Sequence, residues 1–479
     1  MLLLDEATRA ALWRRLVEVV ESHVEGVRSL PVAPRLDPGG LRAQLERATF
    51  ETPMDALDAL DLAVDGLRRH QVHTPHPRYY GLFNPAPATM SIAADALVAA
   101  FNPQIAAWSH SPFAAEVERH LVRAFGARLG YEETDGVFCS GGAEANHSAL
   151  LAALCTAFPA FGERGLRALE SQPVLYVSAE AHHSFLKAAR LCGLGTAAVR
   201  EVAVDAGLRM DVAALRARIA ADRKDGQAPF LVVATAGTTG AGAIDPMAAI
   251  ADVARAERLW LHADAAWGGA AALAPETRAA LAGIERADSI TIDAHKWLSV
   301  PMGAGMLLTR HLQVLERTFR VAAAYMPREA DGLDVVDPYA HSMQWSRRFI
   351  GLKLFLTLAV AGWEGYARCV RDMAAAGHAL RARLQRAGWT AVNETPLPLV
   401  CFVDGTHAAG ASAEYLARVA ASVLASGQAW LSTVTLAGSR PALRACITNH
   451  RTSAGDLDGL VDTLAAARTE AIAPVAARP

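Results

Sequence analysis

The sequence predicts a two-part α/β protein, and three observations carry that reading. The middle of the chain alternates strand-like apolar runs with helical stretches of about ten residues, the pattern of βαβ units. Its strands are continuously apolar, as in parallel sheets covered on both faces. After Arg347 the rhythm changes to long helices followed by short strands, a separate α+β unit.

Taken in order, residues 5–27 and Met54–Leu67 carry apolar positions at helical spacing and need a partner surface. Pro31, Pro34 and Pro38 interrupt them, and HTPHPRYYGLFNPAP (His73–Pro87) has too many prolines for regular structure. So aromatic a segment belongs under cover, either packed on its own subunit or lining a pocket or dimer interface. Helical Glu116–Leu129 leads to FCSGGAEANHSALLAAL. Strands follow at VLYVS, AAVREVAV, FLVVAT, LWLHAD, SITID and GMLLT, with helices at His182–Leu191, Asp211–Ala221 and Pro246–Ala256 between them. The last part reads as helices Phe349–Trp363 and Tyr366–Ala387, strands TAVNE, LVCFV, WLSTVTL and RACIT, and helices Ala413–Ala425 and Gly455–Ala467. The divisions expected are 1–90 as a helical arm, 91–345 as the large unit and 346–479 as the small one.

Composition narrows the function. A formal net charge of -3 without a basic block argues against nucleic acid, and six scattered cysteines without CxxC spacing argue against a metal site or a disulfide framework. The apolar run Phe349–Trp363 is broken by Lys353 and too short for a bilayer, and the N-terminus has no signal-peptide pattern. A cytoplasmic protein with a small-molecule substrate and no membrane partner is expected.

Ligands of such sheets bind at the carboxyl ends of the strands, and four polar clusters fall there. In SITIDAHKW the buried strand stops at Asp293, with His295 and Lys296 directly after it. Of only four lysines (Lys187, Lys224, Lys296, Lys353), Lys296 alone follows a buried strand, so it is either a snorkelling side chain or a nucleophile toward a carbonyl. Ser140-Gly141-Gly142-Ala143 opens a helix, a turn that can also seat an anion. In LHAD the period of two puts His262 and Asp264 on one face, and a buried Asp264 needs either an arginine or a protonated heterocyclic nitrogen. His182 follows VLYVS as a helix cap or a flat stacking partner. A lysine for an imine, an aspartate for a ring nitrogen, a phosphate nest and a stacking surface together match pyridoxal 5'-phosphate.

DAHKW (Asp293–Trp297), HADAAWGG (His262–Gly269), SGGAEANHSALLAAL (Ser140–Leu154) and AEAHHSFLKAA (Ala179–Ala189) closely resemble the group II pyridoxal phosphate-dependent amino-acid decarboxylases, over about His76–Thr452. That group includes aromatic-L-amino-acid, glutamate, cysteine sulfinate and diaminobutyrate decarboxylases. The resemblance implies an aspartate-aminotransferase-type fold (fold type I), with a mostly parallel seven-stranded sheet, and a homodimer with active sites at the interface. It implies Lys296 as the Schiff-base lysine, Asp264 as partner of the pyridine nitrogen, Ala266 under the ring and His182 stacked on it. Gly142 and Ala143 would supply amides to the phosphate with His295 close to it, Gly141 and Asp293 would also contact the cofactor, and Thr238 would lie near it.

The same resemblance matches Tyr325, in FRVAAAYMP, to a tyrosine that returns a proton to a quinonoid intermediate, with MPREADGLDVVDPYAH as a lid. It builds the substrate pocket from Leu82, Phe83, Asn84 and Pro85 with Gln104, Ile105 and Trp108. Arg78 or Arg347 would have to turn inward to accept an acidic side chain. The expected reaction is decarboxylation of an L-amino acid to its amine; an aminotransferase or an aldehyde-forming carbon–carbon lyase would use the same cofactor contacts.

Overall fold

The computed structural model describes residues 2–321, 326, 329–330 and 332–472. Its principal element is a seven-stranded sheet of β1 (Asp135–Cys139), β2 (Pro173–Ser178), β3 (Val199–Val202), β4 (Ala228–Thr235), β5 (Trp260–Asp264), β6 (Ser289–Asp293) and β7 (Gly305–Thr309), in the order β1-β7-β6-β5-β4-β2-β3. Only β7 runs against its neighbours, pairing antiparallel with both β1 and β6. All the other strands therefore end along one edge, where Cys139, Ser178, Thr235, Asp264 and Asp293 are the terminal residues.

The apolar runs are explained by burial on both faces. Phe138, Val174, Tyr176, Val232, Ile290 and Leu308 enter one hydrophobic cluster, while their chain neighbours Val137, Leu175, Leu231, Val233 and Leu307 enter another on the opposite side. The strand period of two thus fills two cores at once. β1 is the strand that no apolar run in the sequence marks, because its five residues DGVFC begin with Asp135 and Gly136 and only the last three are buried.

A second, antiparallel sheet comprises β8 (Trp389–Ala391), β9 (Leu399–Asp404), β10 (Ser432–Leu436) and β11 (Arg440–Cys446), in the order β10-β11-β9-β8. The Ala413–Ser426 and Ala454–Ile472 helices cover it, and Val400, Phe402, Leu443, Leu416 and Leu460 share its core. The two helices expected before this sheet occupy the span Leu352–Arg386, which leaves helical geometry at Gly362 (φ 64°, ψ 174°). Pro38 starts a short helix (Pro38–Glu46), as proline can at a first turn where no N–H is needed. Among the described residues no helix is long and apolar enough to cross a membrane.

The proline-rich stretch from His73 packs on its own chain. Tyr80 is fully buried with its hydroxyl donating to Asp456 O (2.8 Å), and Tyr79 lies against Trp430. The arginines that might have turned inward are both committed elsewhere. Arg78 pairs with the buried Asp456, and the buried Arg347 grips Glu118 with both terminal nitrogens, Nη1 at 3.0 Å. Glu118 also accepts the N–H groups of Ile350 and Gly351, so this pair fixes the approach to the Leu352–Arg386 helix.

Removing one member of a buried pair strands the other charge, at a cost of about 3–5 kcal/mol. Arg347→Leu is expected to lose stability on that scale in urea denaturation, and a loss below ~1 kcal/mol would mean that Glu118 is satisfied by its two backbone donors alone.

Candidate active site

The strand ends meet in a cleft bordered by Gly142, Ala143, His182, Asp264, Ala266 and Lys296, six of the residues singled out in the sequence. Asp264 closes β5 at 5% exposure. Its Oδ2 accepts from Asn146 Nδ2 (2.9 Å) and its Oδ1 from the Ala266 amide (3.2 Å). None of the arginines proposed as its alternative partner forms an ion pair with it among the described residues.

The polarity of this contact is set further down. With Nδ2 of Asn146 donating to Asp264, Oδ1 accepts from His262 Nε2 (3.1 Å), and His262 Nδ1 is then left to accept from Ser289 Oγ (2.8 Å), which itself accepts from Trp260 Nε1 (2.9 Å). That chain requires a neutral imidazole, and burial pushes His262 down to about 4, outweighing the attraction of Asp264.

At the end of β6, Lys296 Nζ lies 2.8 Å from Asp293 Oδ2, and His295 Nε2 is 3.9 Å from the same oxygen. The other oxygen, Asp293 Oδ1, is buried without a partner. His295 Nδ1 is 3.1 Å from the Ala304 amide and 3.0 Å from the Ala304 carbonyl; in the tautomer that accepts from the amide the proton sits on Nε2, which lies toward Asp293. Burial lowers the pKa of His295 and favours the neutral ring.

Above them the Gly142–Ala157 helix begins, with its first N–H groups free of intrahelical acceptors. Two glycines allow the close approach. A Cβ on Gly142 would sit 2.8 Å from Asp293 Oδ2, and one on Gly305, the first residue of β7, 2.7 Å from both Asp293 Oδ1 and Gly141 Cα. Asn146 follows Gly142 by one helical turn, which is why it reaches Asp264.

His182 borders the cleft, and its Nδ1 accepts from the Ser184 amide (3.2 Å) at the start of the next helix. Desolvation lowers its pKa. Ser184 Oγ in turn accepts from Asn146 Nδ2 (2.9 Å), tying the two helix starts together.

Beside the cleft lies Arg444 in β11, a residue that nothing in the sequence marks. It is 2% exposed, donates Nε to Thr239 O and Nη1 to Gly81 O (2.9 Å each), and leaves Nη2 unpartnered. Its guanidinium lies 4.8 Å from the Phe83 ring centre, Phe83 stacks on Trp267 at 4.5 Å, and Lys296 Nζ is 5.9 Å from the same ring.

Other expected members stand apart. Thr238 is fully buried, with its hydroxyl accepting from the Ala243 amide; its neighbours Thr235 and Thr239 are the threonines bordering the cleft. Of the expected substrate pocket only Phe83 reaches the group just described. Leu82 is half exposed, Asn84 contacts Met302, Gln104 contacts His110, and Trp108 binds Glu116 and Asp337 in a second cleft that shares no residue with the first. Within one chain, therefore, Gln104 and Trp108 do not join Lys296. Tyr325 lies outside the described residues.

Acidification should expose the neutral state of His262. An unfolded chain takes up a proton near the ordinary 6.5 whereas the folded one resists until about 4, so stability should fall as pH drops through that window. His262→Gln is expected to flatten part of this slope in denaturation midpoints measured from pH 7 to 4; a wild-type slope would assign the dependence to other histidines.

Comparison with known proteins agrees with this geometry. The family model described as "Pyridoxal-dependent decarboxylase conserved domain" matches residues 38–404. The aromatic-L-amino-acid decarboxylase of Bacillus atrophaeus is 30% identical over 448 residues, 92% of this chain and 91% of the relative. The cysteine sulfinic acid decarboxylase of Mus musculus is 34% identical over 336 residues, 70% of this chain and 68% of the relative. Among solved structures, Oryza sativa TDC with PLP and tryptamine superimposes with a TM-score of 0.90 at 26% identity, covering 98% of this chain and 99% of that one.

Proposed function

Because the chain belongs to the pyridoxal-dependent decarboxylase family, with pyridoxal 5'-phosphate as its cofactor, we propose that it converts an L-amino acid to the corresponding amine and CO2 in the cleft around Lys296. The carrying observation is Asp264, a buried carboxylate at a strand end with neutral donors and no cationic partner among the described residues. When bound, the cofactor supplies a protonated ring that accepts the electrons of the breaking Cα–carboxylate bond.

The residues fit such a group end to end. Asp264 would hold the proton on the ring nitrogen, and the free N–H groups of Gly142 and Ala143, with Gly141 and the Nε2–H of His295, would take the phosphate. Ala266 is small enough to lie against a flat ring, and neutral His182 would stack on it. Lys296 is the covalent anchor. Its ammonium must lose a proton to act, and Asp293 Oδ2 at 2.8 Å is the nearest carboxylate to receive it.

The unpartnered Nη2 of Arg444 supports a role in holding the substrate carboxylate. Fixing that group sets which bond to Cα stands across the ring plane, and only that bond overlaps the π system. The Phe83–Trp267 stack beside it would keep water from the reacting carbon. By the sequence resemblance, Tyr325 returns the proton to Cα.

We also read the chain as a homodimer. The Glu6–Gly26 helix buries none of its residues, and Trp13, Val17, Phe101 and Phe113 are exposed large apolar groups that a second copy would cover. A partner's segment around Gln104 and Trp108 would then complete the substrate pocket.

Cofactor-loaded protein screened against the amino acids should release CO2 and amine in equal amounts from at least one of them; keto acid without CO2 would indicate transamination instead. Lys296→Ala should abolish amine formation. Asp264→Asn should still bind cofactor but lose about three to four powers of ten in rate, roughly 4–5.5 kcal/mol in barrier, and a variant within tenfold of wild type would refute the role of Asp264. With dioxygen as oxidant, Tyr325→Phe should shift the product from amine toward aldehyde, with ammonia and hydrogen peroxide released alongside it.

A further inference from the structure

Lys353 is a buried cation that the proposed chemistry does not use. It stands in the first turn of the Leu352–Arg386 helix, 4% exposed, where an ammonium costs several kcal/mol unless its donors are met. Its donors are met by a turn. Nζ is 2.9 Å from Met302 O and 3.4 Å from both Pro301 O and Gly303 O, three successive carbonyls. Behind it Asp95 Oδ2 lies at 3.6 Å and is itself shared with Arg348.

That turn leads straight into the phosphate end of the cleft. The next residue, Ala304, meets His295 three times, its N–H at 3.1 Å from Nδ1 and its carbonyl 3.0 Å from Nδ1 and 3.2 Å from the His295 amide. The residue after it is Gly305, packed against Gly141 and Asp293. The Cε1 carbon of His295 stands 3.3 Å from where a Gly141 Cβ would be, so the imidazole forms one wall of the nest. Three carbonyls converging on one ammonium hold a turn that would otherwise repel itself, and the ammonium lies close enough for its charge to favour neutral His295.

We infer that Lys353 is a positioning residue for cofactor binding: by gathering the 301–303 carbonyls it sets Ala304, and through Ala304 the His295 ring, against the cofactor phosphate. The inference rests on the assignment of the helix start and His295 to the phosphate. It concerns the phosphate alone, so comparing ligands with and without that group separates it from a general packing role.

The experiment uses full-length apo-protein titrated with pyridoxal 5'-phosphate and, separately, with pyridoxal, which keeps the ring and aldehyde but lacks the phosphate; binding is read by quenching of tryptophan emission. Wild type should prefer the phosphorylated ligand, and equal affinities there would sink the phosphate assignment itself. Lys353→Met should weaken pyridoxal 5'-phosphate about tenfold or more, the size such outer contacts have at metal sites, while pyridoxal binds as before. In a His295→Asn background the same change should add less than about twofold, because coupled positions are not additive. Equal losses for both ligands, no loss for either, or a full further loss in the His295→Asn background overturns the inference. If Lys353→Met does not fold, Lys353→Gln, uncharged but still a donor, is held to the same comparison.

Discussion

One uncompensated negative charge organises this molecule. Asp264 ends a fully buried strand, where a carboxylate is tolerated only if every lone pair is met. Asn146 and the Ala266 amide meet it partly, and the rest of the surroundings are arranged so that these donors cannot turn away. Asn146 is held in one orientation by His262, His262 by Ser289, and Ser289 by Trp260. Each link is neutral, so the charge on Asp264 is oriented without being cancelled, and the cleft retains its appetite for a cation in a ring.

The second feature is how closely separate backbones converge. The start of a helix, the end of β6 and the start of β7 come together at Gly141, Gly142, Asp293 and Gly305. This is possible because β7 is antiparallel, bringing its first residue to the edge where the parallel strands finish. From the other sheet, β11 brings Arg444 to the carbonyl of Thr239, a residue on the border of the cleft, and to that of Gly81.

Much of this was legible in the sequence, for reasons that are specific. Strands buried on both faces announce themselves as unbroken apolar runs, and SITID and GMLLT coincide with β6 and β7 residue for residue. Polar residues that break such a run stand at the strand end, so Asp264, Asp293 and Lys296 could be picked out individually. Arg444 and Lys353 could not. One lies in a strand and the other opens a helix, among many arginines and few lysines, and their burial depends on carbonyls supplied by remote turns. Asn146 had a weak signal, one helical turn beyond Gly142, but its partner lies 118 positions away. The substrate pocket was least legible, since Trp108 borders a different cleft of the same chain and Gln104 is engaged with His110.

The contact between Gly305 and Gly141 carries a lesson for reading variation in this chain. Position 305 sits inside a buried strand, and a newly acquired methyl group there would ordinarily be filed as a packing defect. Yet the atoms it would strike belong to the helix entrance and to Asp293, its own partner in β6, so the injury would reach the border of the cleft as well as the sheet.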